Sequence, residues 1–354
     1  MTLNPGGRFL NVSQRHLHIH VGASKTGTSA LQRGLWRSVD DVLAAGVGLP
    51  LVGRQAHVSQ VLRPLGWVAS KGYVGRIRKR RLRKLVPLLE STPGDRLLVS
   101  NEDLAELDGE RIGLLHQVAR DAGLELSVVI TARTWARQVP SEYQQFLKHR
   151  LTTDYPTWLA EVRDRRGPSA EHFWLRQDFA GMAERWAAEI PAGRIHVLVS
   201  PSRPLDAGTR QFCEIVGIPA ESVDVPTNRI NASFGAVEAE VYRRLNGALP
   251  PAFDDYEADY YPGVRIPIVS GVLPREASAR LPLPNEHLGW VTEESHRQLD
   301  RLRAGGFRLH GEPELLLPGP DASGLMPEVD EVEVSQAAIA ALARMFARSH
   351  RSGS

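Results

Sequence analysis

Apolar and polar positions along the chain follow two rhythms. Residues 16–22 (HLHIHVG) alternate and then turn small, as a strand running into a loop does. Residues 27–45 put Leu31, Leu35, Val39 and Leu43 on one stripe, a helical period that stops before Gly46. Short apolar runs at 96–100 (RLLVS), 126–132 (LSVVITA) and 194–200 (RIHVLVS) read as buried strands. Helical periods at about 109–122, 135–148, 155–164, 175–189 and 205–216 lie between and after them. Strands alternating with helices predict an α/β fold of three layers, a central parallel sheet flanked by helices. A helix over 231–247 follows, then Pro, Gly, Asp and Tyr density from 248 to 285, then helices near 290–304 and 334–349. The expected organisation is a tail over 1–14, one α/β domain over 15–250 with a basic insertion at about 54–93, and an irregular and helical extension over 251–354 packed on the same domain. No internal repeat is visible.

Composition narrows the chemistry. The 354 residues carry 43 Lys+Arg against 41 Asp+Glu, a formal net charge of +2, so no polyanion such as nucleic acid is expected as a global partner. A single cysteine, Cys213, excludes an intramolecular disulfide and any Cys-rich metal site. The start, MTLNPGGRFL, has no signal-peptide-like apolar core, and no stretch of roughly eighteen uncharged apolar residues occurs. A cytoplasmic protein without a membrane span is expected.

The first strand leads into GASKTGTS, residues 22–29. Gly22 and Gly27 have the separation of the glycines in a Walker A loop, G-x-x-x-x-G-K-[ST], and Ser29 falls at its hydroxyl position, but Thr28 replaces the lysine and Lys25 precedes the second glycine. A glycine loop between strand and helix gathers backbone N–H groups at the positive end of the helix dipole, so an anion-binding, P-loop-type start to the fold follows. No apolar strand ending in a Walker B aspartate stands out, which argues against Mg·ATP.

The run H-x-G-x-x-K-T-G-T-[ST]-x-L-Q, His20 to Gln32, resembles the 5′-phosphosulfate loop of sulfotransferases that use 3′-phosphoadenylyl sulfate (PAPS), most of all the bacterial and carbohydrate-type branch that includes the heparan sulfate N-sulfotransferase domain. The resemblance implies that Gly22, Ser24, Lys25, Thr26, Gly27, Thr28 and Ser29 bind the donor's 5′ end without a divalent metal, and that the product is 3′,5′-ADP. It also implies a 3′-phosphate site of an arginine after a later strand and a serine eight residues on, matched by Arg133 and Ser141 in VVITARTWARQVPSEYQQF. An arginine fork suits phosphate bidentately, and a serine two turns into a helix completes the oxygen shell.

Transfer of a sulfuryl group to an alcohol requires removal of a proton, commonly by a carboxylate or histidine. RLLVSNEDLAEL sets Glu102 and Asp103 just past a strand expected beside the loop strand, at the carboxyl end where ligands bind in parallel sheets. By resemblance Glu102 is the base, with Lys25 stabilising charge on the leaving phosphate oxygen; Asp103 or Asn101 alternatively caps the next helix. In PTNRINASFG, Arg229 is a further donor contact by resemblance, with Asn231 and Ser233 as contacts or helix caps.

Rival readings remain on the same residues. HxH at 16–20 also begins zinc amidohydrolases, but the later histidines (57, 116, 149, 172, 196) lack their spacing. A small-molecule kinase would need Mg²⁺ and ATP, and a non-catalytic nucleotide-binding protein would share the fold. The run RIRKRRLRK (76–84) is either a solvated arginine-rich helix or a surface for an anionic acceptor or an acidic membrane surface. Trp67, Trp135, Trp158, Trp174, Trp186 and Trp290 are expected in the core. The acceptor is expected to be a glycan, glycolipid or small metabolite, and residues 248–330 are where its specificity is expected.

Overall fold

Six strands form one sheet: β1 (His16–His20), β2 (Val47–Gly48), β3 (Arg96–Ser100), β4 (Glu125–Ala132), β5 (Ile195–Val199) and β6 (Arg308–His310). Their order is β2-β3-β1-β4-β5-β6, and every neighbouring pair runs parallel. The computed structural model describes residues 14–352 apart from 70, 202, 203, 205, 225–232, 275 and 276.

The period of two along the strands sorts side chains to the two faces. Leu17, Ile19, Leu97, Val99, Leu126, Val128, Ile130 and Val197 point into the larger apolar cluster. Leu98, Val129 and Leu198 point into a smaller one with Leu31, Leu35, Phe212 and Cys213. On that second face β1 presents histidine instead of an aliphatic residue: His18 and His20 are both buried, and the His20 ring lies 4.9 Å from that of Phe212. Helices therefore cover both faces, the three-layer α/β architecture that the alternation predicts. Trp135, Trp158 and Trp186 are fully buried and Trp174 nearly so, while Trp67 and Trp290 pack at the core's edge.

Several elements differ from the periodicity. The helix expected over 27–45 is two, Thr28–Arg37 and Val39–Ala44, because Ser38 leaves helical geometry and its Oγ accepts from Asp224 N at 3.0 Å. The helix expected over 175–189 breaks at Asp178, whose carboxylate caps Phe179–Ala187 by accepting from Gly181 N at 2.8 Å. Edge strands β2 and β6 are two and three residues long, too short to show a period. β6 comes from beyond residue 250, and Tyr260, Val264, Ile268, Leu299 and Leu302 join the larger cluster, so residues past 250 share the core of the sheet.

Chain order sets the position of the cleft. From β1 the chain crosses to β2 on one side, and from β3 it returns past β1 to β4 on the other. The connections leaving the carboxyl ends of β1, β3 and β4 diverge, which opens a crevice there.

Candidate functional site

A cleft of about 1200 Å³ opens at these strand ends. Lys25, Thr26, Gly27, Thr28 and Ser29 line it after β1, Glu102 and Asp103 after β3, Thr131 and Arg133 at the end of β4, and Ser141 within the helix Trp135–Leu147. The chain thus brings together most of the residues that the sequence singles out. Arg229 and Asn231 lie outside the described residues; Ser233 lines the cleft.

The loop has the conformation that its glycines allow. Gly27 adopts a left-handed φ of 98° and precedes the helix Thr28–Arg37, whose first turn has no side-chain cap and no acidic residue. Ala30 N and Leu31 N both donate to Gly27 O, while Thr28 N and Ser29 N have no backbone acceptor among the described residues and form the positive end of the dipole. Gly22 lies at φ 100°, and a Cβ there would stand 3.2 Å from Glu102 Cβ, so glycine lets the loop close on the strand β3 side. Gly22 itself is buried behind the loop and does not line the cleft.

Two loop side chains turn inward. Ser24 is buried; its hydroxyl donates to Glu142 and accepts from Gln177 Nε2 at 3.1 Å, and its carbonyl accepts from Gln138 Nε2. Gln138 Nε2 also donates to Gln177 Oε1 at 2.8 Å. This closed network pins the loop to the helix Trp135–Leu147 and leaves the Ser24 hydroxyl no proton for a ligand. Thr26 Oγ1 donates to Ala23 O at 2.7 Å and also meets Thr131 Oγ1, so it too is occupied in shaping the loop.

The cations are poorly compensated. Arg133 Nη2 donates to Ser141 Oγ at 3.0 Å and to Arg137 O at 3.2 Å, and Nε donates to Gln138 Oε1. All these acceptors are neutral. Burial, with Arg137 adding to it and Glu142 opposing, pulls the guanidinium down to about 10. Burial likewise lowers the Lys25 ammonium; Glu142 opposes this, and Arg133 and Arg265 add to it. Desolvated cations around a bare helix start fit a multiply charged anion such as a phosphate ester, and the Arg133–Ser141 pair fits a second phosphate.

Across the cleft stands a carboxylate group. Asn101 caps the short helix Glu102–Glu106 by accepting from Asp103 N at 2.9 Å, so the capping role belongs to Asn101. Asp103 is held by Arg54 at 2.7 Å and by Arg176 at 3.4 Å, and Glu106 by Arg176 at 2.5 Å and His172 at 2.9 Å. Glu102 is the least tied of the three: Gln32 Nε2 donates to it at 3.2 Å and Arg54 stands 3.6 Å away. Burial pushes its carboxyl up, but Arg54, backbone hydrogen bonding, Arg176 and Gln32 together outweigh this and hold it below the ordinary value. Glu102 is therefore ionised at neutral pH, and among the described residues its Oε1 has only the Arg54 guanidinium at 3.6 Å, longer than a hydrogen bond. His20, beside it, is structural: fully buried, it pairs with Ser100 Oγ at 2.7 Å and Thr131 Oγ1 at 3.3 Å, and burial lowers it to about 4.

Sequence reasoning missed Arg54, Arg176, Lys148 and Arg265, which also line the cleft, and the supporting Gln138, Glu142 and Gln177. Part of this was legible, since Gln138, Ser141, Gln145 and Lys148 recur every three or four residues along one helix face. Arg176, Gln177 and Arg265 come from distant segments and carry no local signal. The basic run 76–84 is exposed apart from Ile77 and Leu82 and does not line the cleft. Among the described residues no group of three or more His, Cys, Asp and Glu could hold a metal ion, and no helix is long and apolar enough to cross a membrane.

No protein-family model matches the chain, and the curated proteins yielded no match. Among solved structures, the chain is similar to a sulfotransferase from Alicyclobacillus acidocaldarius, at 17% sequence identity and a TM-score of 0.41, over 62% of this chain and 87% of that one.

Proposed function

We propose that this protein is a sulfotransferase that moves a sulfuryl group from PAPS to the hydroxyl of an acceptor. The observation that carries the reading is the desolvated Arg133 guanidinium, partnered only by neutral acceptors, facing the same cleft as Lys25 and the uncapped start of the helix Thr28–Arg37. Thr28 N and Ser29 N would receive the 5′-phosphate, and Arg133 with Ser141 the 3′-phosphate. PAPS supplies an activated sulfuryl group on a phosphate leaving group. The acceptor oxygen forms the new bond to sulfur as the sulfur–oxygen bond to that phosphate breaks, and Glu102 takes the acceptor's proton. Lys25 stabilises the negative charge that remains on 3′,5′-ADP. Glu102 suits the base role better than Asp103 or Glu106, which arginines at 2.7 and 2.5 Å occupy. Arg63, Trp67, Tyr256, Tyr261 and Leu281, on the remaining wall, would meet the acceptor, for which a glycan, glycolipid or small metabolite is proposed.

Calorimetric titration with 3′,5′-ADP tests the donor site, with ATP·Mg²⁺ in parallel and EDTA as a control. The proposal expects micromolar or tighter binding of 3′,5′-ADP that survives EDTA, at about −8 kcal/mol. Binding of ATP·Mg²⁺ without binding of 3′,5′-ADP overturns it in favour of a kinase.

A further inference from the structure

The helix Glu331–Ser352 carries two apolar faces, and its own chain covers only one. Val334 and Ala341 are buried against the body, where the helix packs on Ala236–Ala248 and Arg344 Nη1 donates to Val272 O at 3.3 Å. The opposite face is bare: Val332 is 58% exposed, Ile339 66%, Leu342 54% and Phe346 72%. Together with Ser335 and Ser349, also exposed, these residues stand at alternating spacings of three and four, positions a and d of a heptad sustained from 332 to 349. A stripe of this width is broader than the scattered single apolar residues of an ordinary surface, and its geometry is that of a two-helix seam.

We infer that this face is the seam of a homodimer, in which the helix pairs antiparallel with the same helix of a second copy. Charge selects both occupant and direction. The helix begins among Glu328, Asp330, Glu331 and Glu333, of which Glu331 pairs with Arg244 of its own chain. It ends among Arg344, Arg348 and His350, where Arg344 and Arg348 each donate one hydrogen bond to a body carbonyl and keep their charge. Antiparallel pairing about a twofold axis between Ile339 and Leu342 sets each acidic end beside the basic end of the copy and opposes the two helix dipoles, whereas parallel pairing stacks like charge on like. The same axis places Val332 opposite Ser349, Ser335 opposite Phe346, and Ile339 opposite Leu342. An anionic lipid surface fits less well, since it would repel the acidic end. One helix pair is a small interface, so dissociation is expected in the micromolar range. The inference stands apart from the proposed activity.

Sedimentation velocity over about 1–100 µM protein tests it. Wild type should pass from monomer to dimer, and Ile339→Glu combined with Phe346→Glu should weaken the dimer about tenfold or more by burying unpaired charge. Both positions are exposed, so the variant should keep the wild-type melting temperature and circular dichroism; Val74→Glu, at an exposed site elsewhere, should leave the dimer unchanged. Val332→Cys mixed with Ser349→Cys should cross-link under oxidation, while Val332→Cys alone should not; the native Cys213 is buried and does not compete. A monomer at every concentration, a dimer indifferent to the double substitution, or cross-linking by Val332→Cys alone would each overturn the inference. So would binding of the monomer to vesicles of phosphatidylcholine and phosphatidylserine that the double substitution abolishes.

Discussion

The two walls of the cleft are built differently. The wall formed by residues 22–29 and the helix Trp135–Leu147 rests on regular elements, and a buried network of Ser24, Gln138, Glu142 and Gln177 clamps loop to helix. On it the Arg133 guanidinium donates to neutral acceptors, and Glu142 is the carboxylate that acts on both Arg133 and Lys25. The facing wall is a set of ion pairs, with Asp103 and Glu106 locked to Arg54 and Arg176, and it continues into the π-helical turns Tyr256–Arg265 and Ile268–Val272. The first wall sets Lys25 and Arg133 beside the start of a helix, with the buried Glu142 carboxylate offsetting part of their burial. A wall that neutralises its own charges, except at Glu102, is organised to present one carboxylate and otherwise to shape space.

Glu102→Gln is the sharpest way to separate the walls. It should lower turnover by about 10²–10⁴-fold, as loss of a general base does, while leaving calorimetric affinity for 3′,5′-ADP near wild type. Equal loss of both would mean that Glu102 belongs to the donor wall.

The second largest effect concerns stability rather than turnover. His20 and His18 are buried neutral, each lowered by burial from 6.5 to about 4. The unfolded chain binds protons at these positions near pH 6.5 and the folded chain does not. Stability is therefore complete above about pH 6.5 and falls as pH drops towards 4, by on the order of 2–3 kcal/mol for each histidine. Urea unfolding at pH 7, 5.5 and 4.5 should show the decline, and His20→Asn should flatten it. A pH-independent midpoint in wild type would refute the assignment.

Arg133→Ala should weaken 3′,5′-ADP binding by about 10–100-fold, the scale of a bidentate charge-assisted contact, with little change in melting temperature because its present partners are neutral. Gln177→Ala removes two hydrogen bonds from the clamp, to Ser24 and Gln138, and should cost about 1–2 kcal/mol in denaturant unfolding. The smallest effect is a shift in a profile. Arg54→Gln withdraws the largest influence that lowers the Glu102 carboxyl, so the acid limb of kcat/KM should move to higher pH. A limb that stays in place would assign the proton to another group.

Legibility followed the same division. GASKTGTS announced its structure because glycine φ angles, the end of a strand and the start of a helix are local properties. Arg133 and Ser141 were singled out as a pair by the resemblance alone, and the fold joins them through a hydrogen bond of 3.0 Å. Ser24 was legible as a loop residue, but the partners of its hydroxyl, Glu142 and Gln177, were not, the latter lying 153 residues away. The break at Ser38 escaped the periodicity because it involves a partner from a remote segment, Asp224, whereas the break at Asp178 is a local cap on Gly181 N that hydrophobic period alone does not reveal.

The sequence by itself determined the parallel α/β sheet, since a period of two on strands and of three to four on helices is written into each segment and needs only burial to act on it. It also determined where the backbone of the first loop turns, through the positive φ angles of Gly22 and Gly27. Only the tertiary structure decided which charges are spent on one another: Arg54 and Arg176 neutralise Asp103 and Glu106, while Glu142 offsets only part of the burial of Arg133 and Lys25, and Glu102 is held more loosely by Gln32 and Arg54. Charge pairing acts over a few ångströms of space between residues tens to more than a hundred positions apart, and no rhythm along the chain records it.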